Sequence, residues 1–356
     1  VGWLANAHIL LVILYRPEYT PPWGSKSYYS QLNVDQLSAR ASAKLVQSIL
    51  EGGEVVPELR QLIIARAGGN PLFVEEFTHT LLENGSIEKK DRQYVLSTKG
   101  SEIQVPDTIQ EIIAARMDRL EDNLKRTMQV ASVVGRDFAF RILHTITGMR
   151  EELKWYLLEL QGLEFIYEKS LFPELEYIFK HALTQEVAYK SLLIKRRKNI
   201  HEKIGKAIEE LYRDRLEEFY EMLAHHYSKS ENWEKAYEYL KLAAEKATRS
   251  YSNWEAFRFY KEAIKALSQL PDIEENKRRQ VEVRLLMESP MMLVGYPEES
   301  LQIIEEGERL SRELGYARSL ARFYSMLGLY YSLKGDVVRG TKYAESAFQE
   351  AEKVQD

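Results

Sequence analysis

The second half of the chain repeats a pattern of small and aromatic residues, and this repeat constrains the fold more than any other feature. From residue 195 onward nearly every segment has the apolar spacing of an amphipathic helix. One set of positions is Ala224, Tyr227, Ala236, Leu240 and Ala243, and a second is Leu327, Gly328, Tyr331, Gly335, Gly340, Ala344 and Ala347. From Ala224 to Gly328 is 104 residues, about three periods of a 34-residue helix-pair repeat. Small residues let two helices cross closely, so we predict stacked helix pairs over residues 195–356.

The middle of this helical region departs from the repeat. Ala256, Tyr260 and Ala263 fit the second helix of a pair, whereas Gly295-Tyr296-Pro297 breaks the register. The pattern continues to Asp356 without a polar capping helix, so we expect the array to be cut short at this end. Its concave groove is expected to bind peptides or proteins. The aromatic residues that could line the groove or fill the core are Tyr227, Tyr260, Tyr324 and Tyr331, and a core role is favoured at the repeat positions.

The start of the chain has a different pattern. Ile9–Tyr15 (ILLVILY) is a continuous apolar run of the kind that forms a strand buried on both faces of a parallel sheet. Few other strand candidates lie near it, and the chain starts with Val1, so we expect that the partner strands preceded a cut. Helical spacing follows over Asp35–Leu50, Pro57–Ala67 and Leu72–Glu83, with Gly68-Gly69-Asn70-Pro71 between the last two. Asn84-Gly85 and the polar stretch Ile87–Gly100 favour a short hairpin or loop.

The segment from Pro106 to about Leu193 alternates helices with two short strands. Pro106-Asp107 opens a helix with the acidic Glu111 early in it. The predicted helices are Thr108–Leu120, Asn123–Val134, Phe140–Thr147 and Glu151–Gln161, and the predicted strands are Glu164–Tyr167 and Glu176–Phe179. Helices followed by a β-hairpin in this order are a winged-helix pattern.

Composition excludes several classes of protein. The formal net charge of −5 gives no general attraction to nucleic acid or to an anionic membrane. The chain has no cysteine, which excludes disulfides and cysteine-based zinc sites and suits a reducing compartment, so we expect a cytoplasmic protein. The apolar run Ile9–Tyr15 is far shorter than the roughly 20 residues of a membrane helix and lacks the flanks of a signal peptide.

The remaining chemical motifs favour structural roles. His225-His226 lies on a predicted helix, where adjacent side chains point about 100° apart, so we predict that the pair shares no metal. His201-Glu202 lacks the second histidine of an HExxH zinc motif. No serine, histidine and aspartate spacing indicates a catalytic triad, so we assign no catalytic and no metal-binding residue. Lys195-Arg196-Arg197-Lys198 could bind phosphates, but the start of a solvated helix explains it better.

Several strings, taken together and in order, resemble a known family. They are LLVILYRPEY, AGGNPLFVEE, VPDTIQEIIAARMDRL, ASVVGRDF, EYIFKHALTQEVAYKSLL and LAHHY. They resemble signal-transduction ATPases of the STAND class, relatives of AAA+ proteins, fused to tetratricopeptide repeats (TPRs). The most similar variety is the ATPase–TPR region that follows class III adenylate or guanylate cyclase domains. The chain has no GxxxxGK[ST] phosphate-binding loop, so the resemblance covers the regulatory part of such a protein.

The resemblance implies nucleotide contacts at four residues. Arg16 would follow the sensor-1 strand and sense the γ-phosphate. Gly69 and Pro71 would form the GxP element of the helical lid, with the proline against adenine. His181 would contact the β-phosphate of bound ADP. In the family such groups hold ADP in the resting state, and an inducer on the repeats releases it.

The sequence therefore predicts a mainly α-helical chain of four segments. They are a remnant of an ATPase core (1–34), a helical lid (35–104), a winged-helix domain (105–194) and TPR-like repeats (195–356). We predict a nucleotide-gated regulatory module with a protein or peptide partner, no membrane, and no catalysis by this chain alone. ATP or ADP would bind in a longer parent protein, itself an ATPase or a cyclase. The alternatives are a TPR scaffold without nucleotide binding and a DNA-binding transcriptional regulator.

Overall fold

Helices dominate the structure, as the sequence predicts. The computed structural model describes residues 7–91, 93–97, 106–149 and 151–353. The chain divides into two compact units, residues 1–112 and residues 113–356, and each has a buried apolar core. A mainly α-helical fold with small sheets is thus confirmed, and the finer division into four segments stays a prediction.

The first unit packs three helices beside a small sheet. The helices are α1 (Ala39–Ile49), α2 (Pro57–Ala67) and α3 (Pro71–Glu83). The strands are β1 (Glu54–Val55), β2 (Ile87–Lys90) and β3 (Gln93–Leu96), and β3 lies in the middle, parallel to β1 and antiparallel to β2. Leu59, Ile63 and Val74 are among the fully buried side chains of its core. The hairpin predicted after Asn84-Gly85 is formed by β2 and β3, and residues 98–105 lie outside the described residues.

The buried strand predicted over Ile9–Tyr15 does not form in the structure. The run has no regular secondary structure, and its apolar side chains are exposed, with Leu10 at 88% and Leu14 at 93%. A strand needs a neighbour to pair its N–H and C=O groups. Among the described residues, no strand of either sheet pairs with this run. The prediction of an ATPase edge strand is therefore wrong for this structure.

The next helix, α4 (Ile109–Asp118), begins with the cap that the sequence predicts. The Thr108 hydroxyl accepts a hydrogen bond from the Glu111 N–H (3.2 Å), and the Glu111 carboxylate accepts from the N–H groups of Asp107 (3.1 Å) and Thr108 (3.2 Å). This reciprocal arrangement is a capping box, which satisfies N–H groups that the first turn of a helix leaves open.

The second unit starts with helices around a three-stranded antiparallel sheet. The helices are α5 (Asp122–Val134), α6 (Phe140–Thr147), α7 (Glu151–Gly162) and α8 (Ala182–Lys190), and the strands are β4 (Asp137–Ala139), β5 (Ile166–Ser170) and β6 (Glu176–Phe179). The central strand is β6. Phe138 of β4 packs against Tyr177 and Phe179 of β6, with ring centres 5.8 and 5.6 Å apart. The predicted hairpin is thus present, and β4 is an additional strand that the sequence did not reveal.

The rest of the second unit is a run of packed helices. They are α9 (Ile194–Leu211), α10 (Tyr220–Ser230), α11 (Trp233–Arg249), α12 (Asn253–Leu267), α13 (Glu274–Leu286), α14 (Glu288–Leu293), α15 (Ser300–Glu313), α16 (Ala317–Leu333) and α17 (Val337–Lys353). A 3₁₀ segment, Arg213–Phe219, joins α9 to α10. A Cβ at Gly328 of α16 would lie 3.2 Å from the Gly340 carbonyl of α17, so the two backbones touch. Tyr227 and Tyr260 are buried, which confirms their core role.

Among the described residues, no helix combines the length and the hydropathy that crossing a bilayer requires.

Candidate functional site

The four residues that the resemblance assigns to nucleotide binding belong to two different units of the structure. Arg16, Gly69 and Pro71 belong to the first unit, and His181 belongs to the second. Arg16 and Pro71 are exposed, while Gly69 is buried. His181 is the residue that precedes α8, with an extended backbone. The nucleotide roles of all four residues stay predictions.

Gly69 and Pro71 lie at a tight junction between α2 and α3. The Gly69 carbonyl accepts a hydrogen bond from the Leu37 N–H (2.8 Å), and a Cβ on Gly69 would lie 2.6 Å from the Leu37 carbonyl oxygen. Gly69 also has a positive φ of 79°, which favours glycine. Pro71 is the first residue of α3, where its missing N–H costs nothing. The junction therefore ends one helix and starts the next.

The side chain of Asn70 caps α3, which leads to a first prediction. Its Oδ1 accepts a hydrogen bond from the Phe73 N–H (3.2 Å). We expect Asn70→Ala to lower the free energy of unfolding by about 1 kcal/mol, measured by urea denaturation. Asn33→Ala is the control, because Asn33 lies in an exposed loop. Equal stabilities of the two variants would contradict the capping role.

The basic cluster at the start of α9 is partly used inside the protein. The Arg197 guanidinium lies over the Tyr189 ring, 4.9 Å from its centre. Lys198 pairs with Glu231 at 2.6 Å. Two of the four basic side chains thus contact their own chain, which weakens the reading of the cluster as a DNA phosphate site.

Three histidines meet where α9 packs on α10. His201 lies on α9, and His225 and His226 lie on α10. The Nδ1 atoms of His201 and His226 are 2.9 Å apart, so one donates a hydrogen bond to the other. One ring nitrogen from each of the three residues lies within 4.8 Å of the nitrogens of the other two. The prediction that His225 and His226 share no metal stays a prediction, but the sequence did not reveal that His201 of the neighbouring helix would join them.

The histidine cluster is electrically neutral near pH 7. Burial first, and then the electrostatic effects of His225, Lys229 and Arg197, together lower the pKa of His201 to about 3. Burial also lowers the pKa of His226, with His201 and His225 adding to the effect. Although part of His225 is exposed to solvent, desolvation by the side chains packed around its ring lowers its pKa, and Lys229 lowers it further. Desolvation disfavours the charged form of an imidazole, so the rings stay neutral.

A shallow groove lies between α16 and α17. Its volume is about 460 Å³, and its lining residues are Glu288, Arg318, Ala321, Arg322, Ser325, Ala344, Ala347, Phe348 and Ala351. Phe348 is 65% exposed at its edge. Arg322 pairs with Glu288 at 2.7 Å. The repeat spacing in the sequence pointed to this helix pair, but Arg318, Arg322 and Phe348 lie outside the consensus positions and were missed.

Comparison with known proteins gives limited matches. A family model described as a domain of unknown function (DUF8739) matches residues 38–93. No curated protein matches the sequence.

Two solved structures resemble the chain at low similarity. One is a signal transduction ATPase with numerous domains (STAND) that has a tetratricopeptide repeat sensor, from Pyrococcus horikoshii. It is 14% identical, with a TM-score of 0.30, over 90% of this chain and 60% of that one. The other is BtubC (BKLC) from P. vanneervenii, 14% identical, with a TM-score of 0.29, over 66% of this chain and 93% of that one. The chain thus spans less than two thirds of the STAND protein, and similarity at this level assigns no activity.

Proposed function

We propose that the chain is a regulatory interaction module whose helical array binds a helix of a partner protein in the groove between α16 and α17. The observation that carries the proposal is the lining of this groove. Four alanines form its walls, and an exposed phenylalanine, Phe348, stands at its edge. An exposed aromatic beside a concave apolar surface is typical of a protein-binding site.

The alanine walls favour a helix as the ligand. Ala321 comes from α16, and Ala344, Ala347 and Ala351 come from α17. Small side chains let another backbone approach closely, as Gly328 and Gly340 do where α16 crosses α17. A partner helix that lays its apolar face into the groove would bury these alanines and the ring of Phe348.

The charges at the groove favour an acidic partner. Among the described residues, Arg318 and Arg322 are its basic lining residues, and Glu288, which pairs with Arg322, is the acidic one. Guanidinium groups carry several N–H donors, so the two arginines can still donate to carboxylates on the polar face of a bound helix, and lysines there would be repelled.

The first half of the chain would supply the regulation. On the resemblance stated above, residues 35–104 act as the lid and residues 105–194 as the winged-helix part of a STAND-type switch, with residues 195–356 as TPR-like repeats. Pro71 and His181 would be ADP contacts of that switch, and Arg16 would sense the γ-phosphate. A partner on the repeats would shift this equilibrium only if it binds the two states with different affinities.

Selection from displayed peptide libraries tests the binding site. Two libraries of helical peptides, one with an acidic and one with a basic polar face, are screened for binding to the whole chain. The affinities of the selected peptides are then measured by fluorescence anisotropy. We expect binders from the acidic library, weakened at least about tenfold by Phe348→Asp because the ring would no longer be buried. Arg318→Glu should weaken the same peptides through charge repulsion.

Val338→Asp is the matched control, because Val338 also lies on α17 and is 83% exposed, but does not line the groove. Peptides that lose affinity equally with Val338→Asp and Phe348→Asp would place the binding site elsewhere. Binders drawn only from the basic library would overturn the charge argument.

A further inference from the structure

We propose that His201, His225 and His226 form a binding site for one transition-metal ion, with Zn²⁺ the first candidate. The site lies between α9 and α10 and is separate from the groove at α16 and α17. It does not depend on the function proposed above.

The spacing of the rings is close to what a shared metal requires. The ring centres are 5.1 Å apart for His201 and His226, 5.3 Å for His225 and His226, and 5.9 Å for His201 and His225. Nitrogens that bind one tetrahedral zinc at about 2 Å lie roughly 3.3 Å apart, with their ring centres about 5 Å apart. The Nδ1 atoms of His201 and His226, at 2.9 Å, need to separate by only a few tenths of an ångström.

A neighbouring tyrosine prepares His201 as a ligand. The Tyr189 hydroxyl lies 3.1 Å from Nε2 of His201, and their rings meet edge to face. When the His201 Nε2–H donates to this oxygen, the lone pair of His201 is on Nδ1, the atom that faces His226. Metal-binding histidines usually hold their second ring nitrogen in such a hydrogen bond, which fixes both the tautomer and the ring orientation.

The burial of the three ligands gives the site an enclosed side and an open side. His201 and His226 are almost fully buried, at 2% and 1% exposure, whereas His225 is exposed. An ion can therefore enter past His225, and water can take a fourth position. Three protein ligands plus water is the arrangement of open zinc sites.

The ligand type favours certain metals, and the surrounding charges affect how tightly an ion binds. Lys229 and Arg197 are the positive groups that act on the histidines, and no carboxylate belongs to the group. An all-imidazole site suits Zn²⁺, Cu²⁺ or Ni²⁺, whereas Mg²⁺ and Ca²⁺ prefer oxygen ligands. The two cations oppose any bound ion, so removing one of them should strengthen binding.

Calorimetric titration of Zn²⁺ into the chelator-treated whole chain tests the site, with thermal unfolding as a second readout. We expect about one ion per chain with micromolar affinity, and a rise in melting temperature because the ion binds the folded state. His225→Ala should weaken binding at least about tenfold. Its exposed position makes it the variant that keeps the fold, which circular dichroism checks.

Two further variants separate a metal site from an ordinary hydrogen-bonded group. Lys229→Gln should tighten zinc binding by about threefold or more, since a nearby positive charge is removed; a purely structural cluster predicts no such gain. His8→Ala, which removes an exposed histidine of the first unit, should leave affinity unchanged. Absence of zinc binding at micromolar concentration, or binding by His225→Ala equal to that of the unaltered chain, would overturn the proposal.

Discussion

Replacing Gly307 with alanine is expected to destabilise the second unit by about 3 kcal/mol, because α15 has no room for a methyl group there. A Cβ at Gly307 would overlap the Phe323 ring of α16, coming within 2.9 Å of Cδ1 and nearer still to Cε1 and Cζ. Phe323 is fully buried, so its ring cannot turn into solvent. For a unit of this size the loss corresponds to a fall in melting temperature of roughly 6–12 °C, measured by differential scanning calorimetry.

The same substitution at a second helical glycine provides the control. Gly162 is the last residue of α7, and a Cβ there meets no atom within 4 Å. Gly162→Ala is therefore expected to change stability by less than about 0.5 kcal/mol. Adding Phe323→Leu to Gly307→Ala should restore part of the loss, because the smaller side chain leaves space for the methyl group. A Gly307→Ala protein with the same melting temperature as the unaltered chain would refute the close packing of α15 on α16.

Replacing Glu209 with alanine is expected to cost about 2–5 kcal/mol, because two buried hydroxyl groups lose their shared acceptor. The Tyr227 hydroxyl donates to one carboxylate oxygen of Glu209 (2.8 Å), and the Tyr239 hydroxyl donates to the other (2.6 Å). Lys235 pairs with the same carboxylate at 3.1 Å. Both tyrosine rings are buried and stacked 5.7 Å apart. Urea denaturation measures the effect.

The same carboxylate predicts a dependence of stability on pH. Burial raises the pKa of Glu209, but the hydrogen bonds from Tyr239, Tyr227 and Lys235 outweigh burial and hold the pKa below its usual value. A glutamate with a lowered pKa in the folded state stabilises the fold fully above its ordinary pKa. This stabilisation is lost as the pH falls through the folded-state value. We therefore expect the free energy of unfolding of Glu209→Gln to fall less steeply below about pH 4.5 than that of the unaltered chain.

Glu210→Ala is the control for both measurements, because Glu210 is the next residue and is exposed. Its free energy of unfolding should stay within about 0.5 kcal/mol of that of the unaltered chain. The decrease of that free energy at low pH should also match the unaltered chain. Adding Tyr227→Phe to Glu209→Ala should cost little more, since the hydroxyl has already lost its partner. Independent, additive losses would show that the two residues do not share one hydrogen-bonded group.

Local signals in the sequence placed several elements residue for residue. Pro57–Ala67, Phe140–Thr147 and Glu176–Phe179 begin and end in the structure where the sequence predicted. The first helix was predicted from Asp35 but begins at Ala39, where Ser38 provides the cap. Proline, glycine and capping residues act on the chain within a few residues, so their effect can be read without knowledge of the fold.

Predictions that needed a distant partner were less successful. The strand over Ile9–Tyr15 failed because an apolar run specifies a strand only when another strand pairs with it. β4 was missed for the converse reason, since Asp137–Ala139 is too short to signal a strand and is held by β6. For Gly69 and Pro71, glycine and proline placement predicted the helix boundary that the structure shows, but their contact with a nucleotide stays a prediction.

By itself, the sequence determined the mainly helical content and the ends of several helices before residue 163, because amphipathic spacing and capping act locally. Tertiary structure decided which side chains meet. His201 joins His225 and His226 only because α9 packs on α10, and the groove beside Phe348 exists only because α17 crosses α16 at Gly328. Contacts between helices depend on crossing geometry and on side chains far apart in the chain, which no local pattern records.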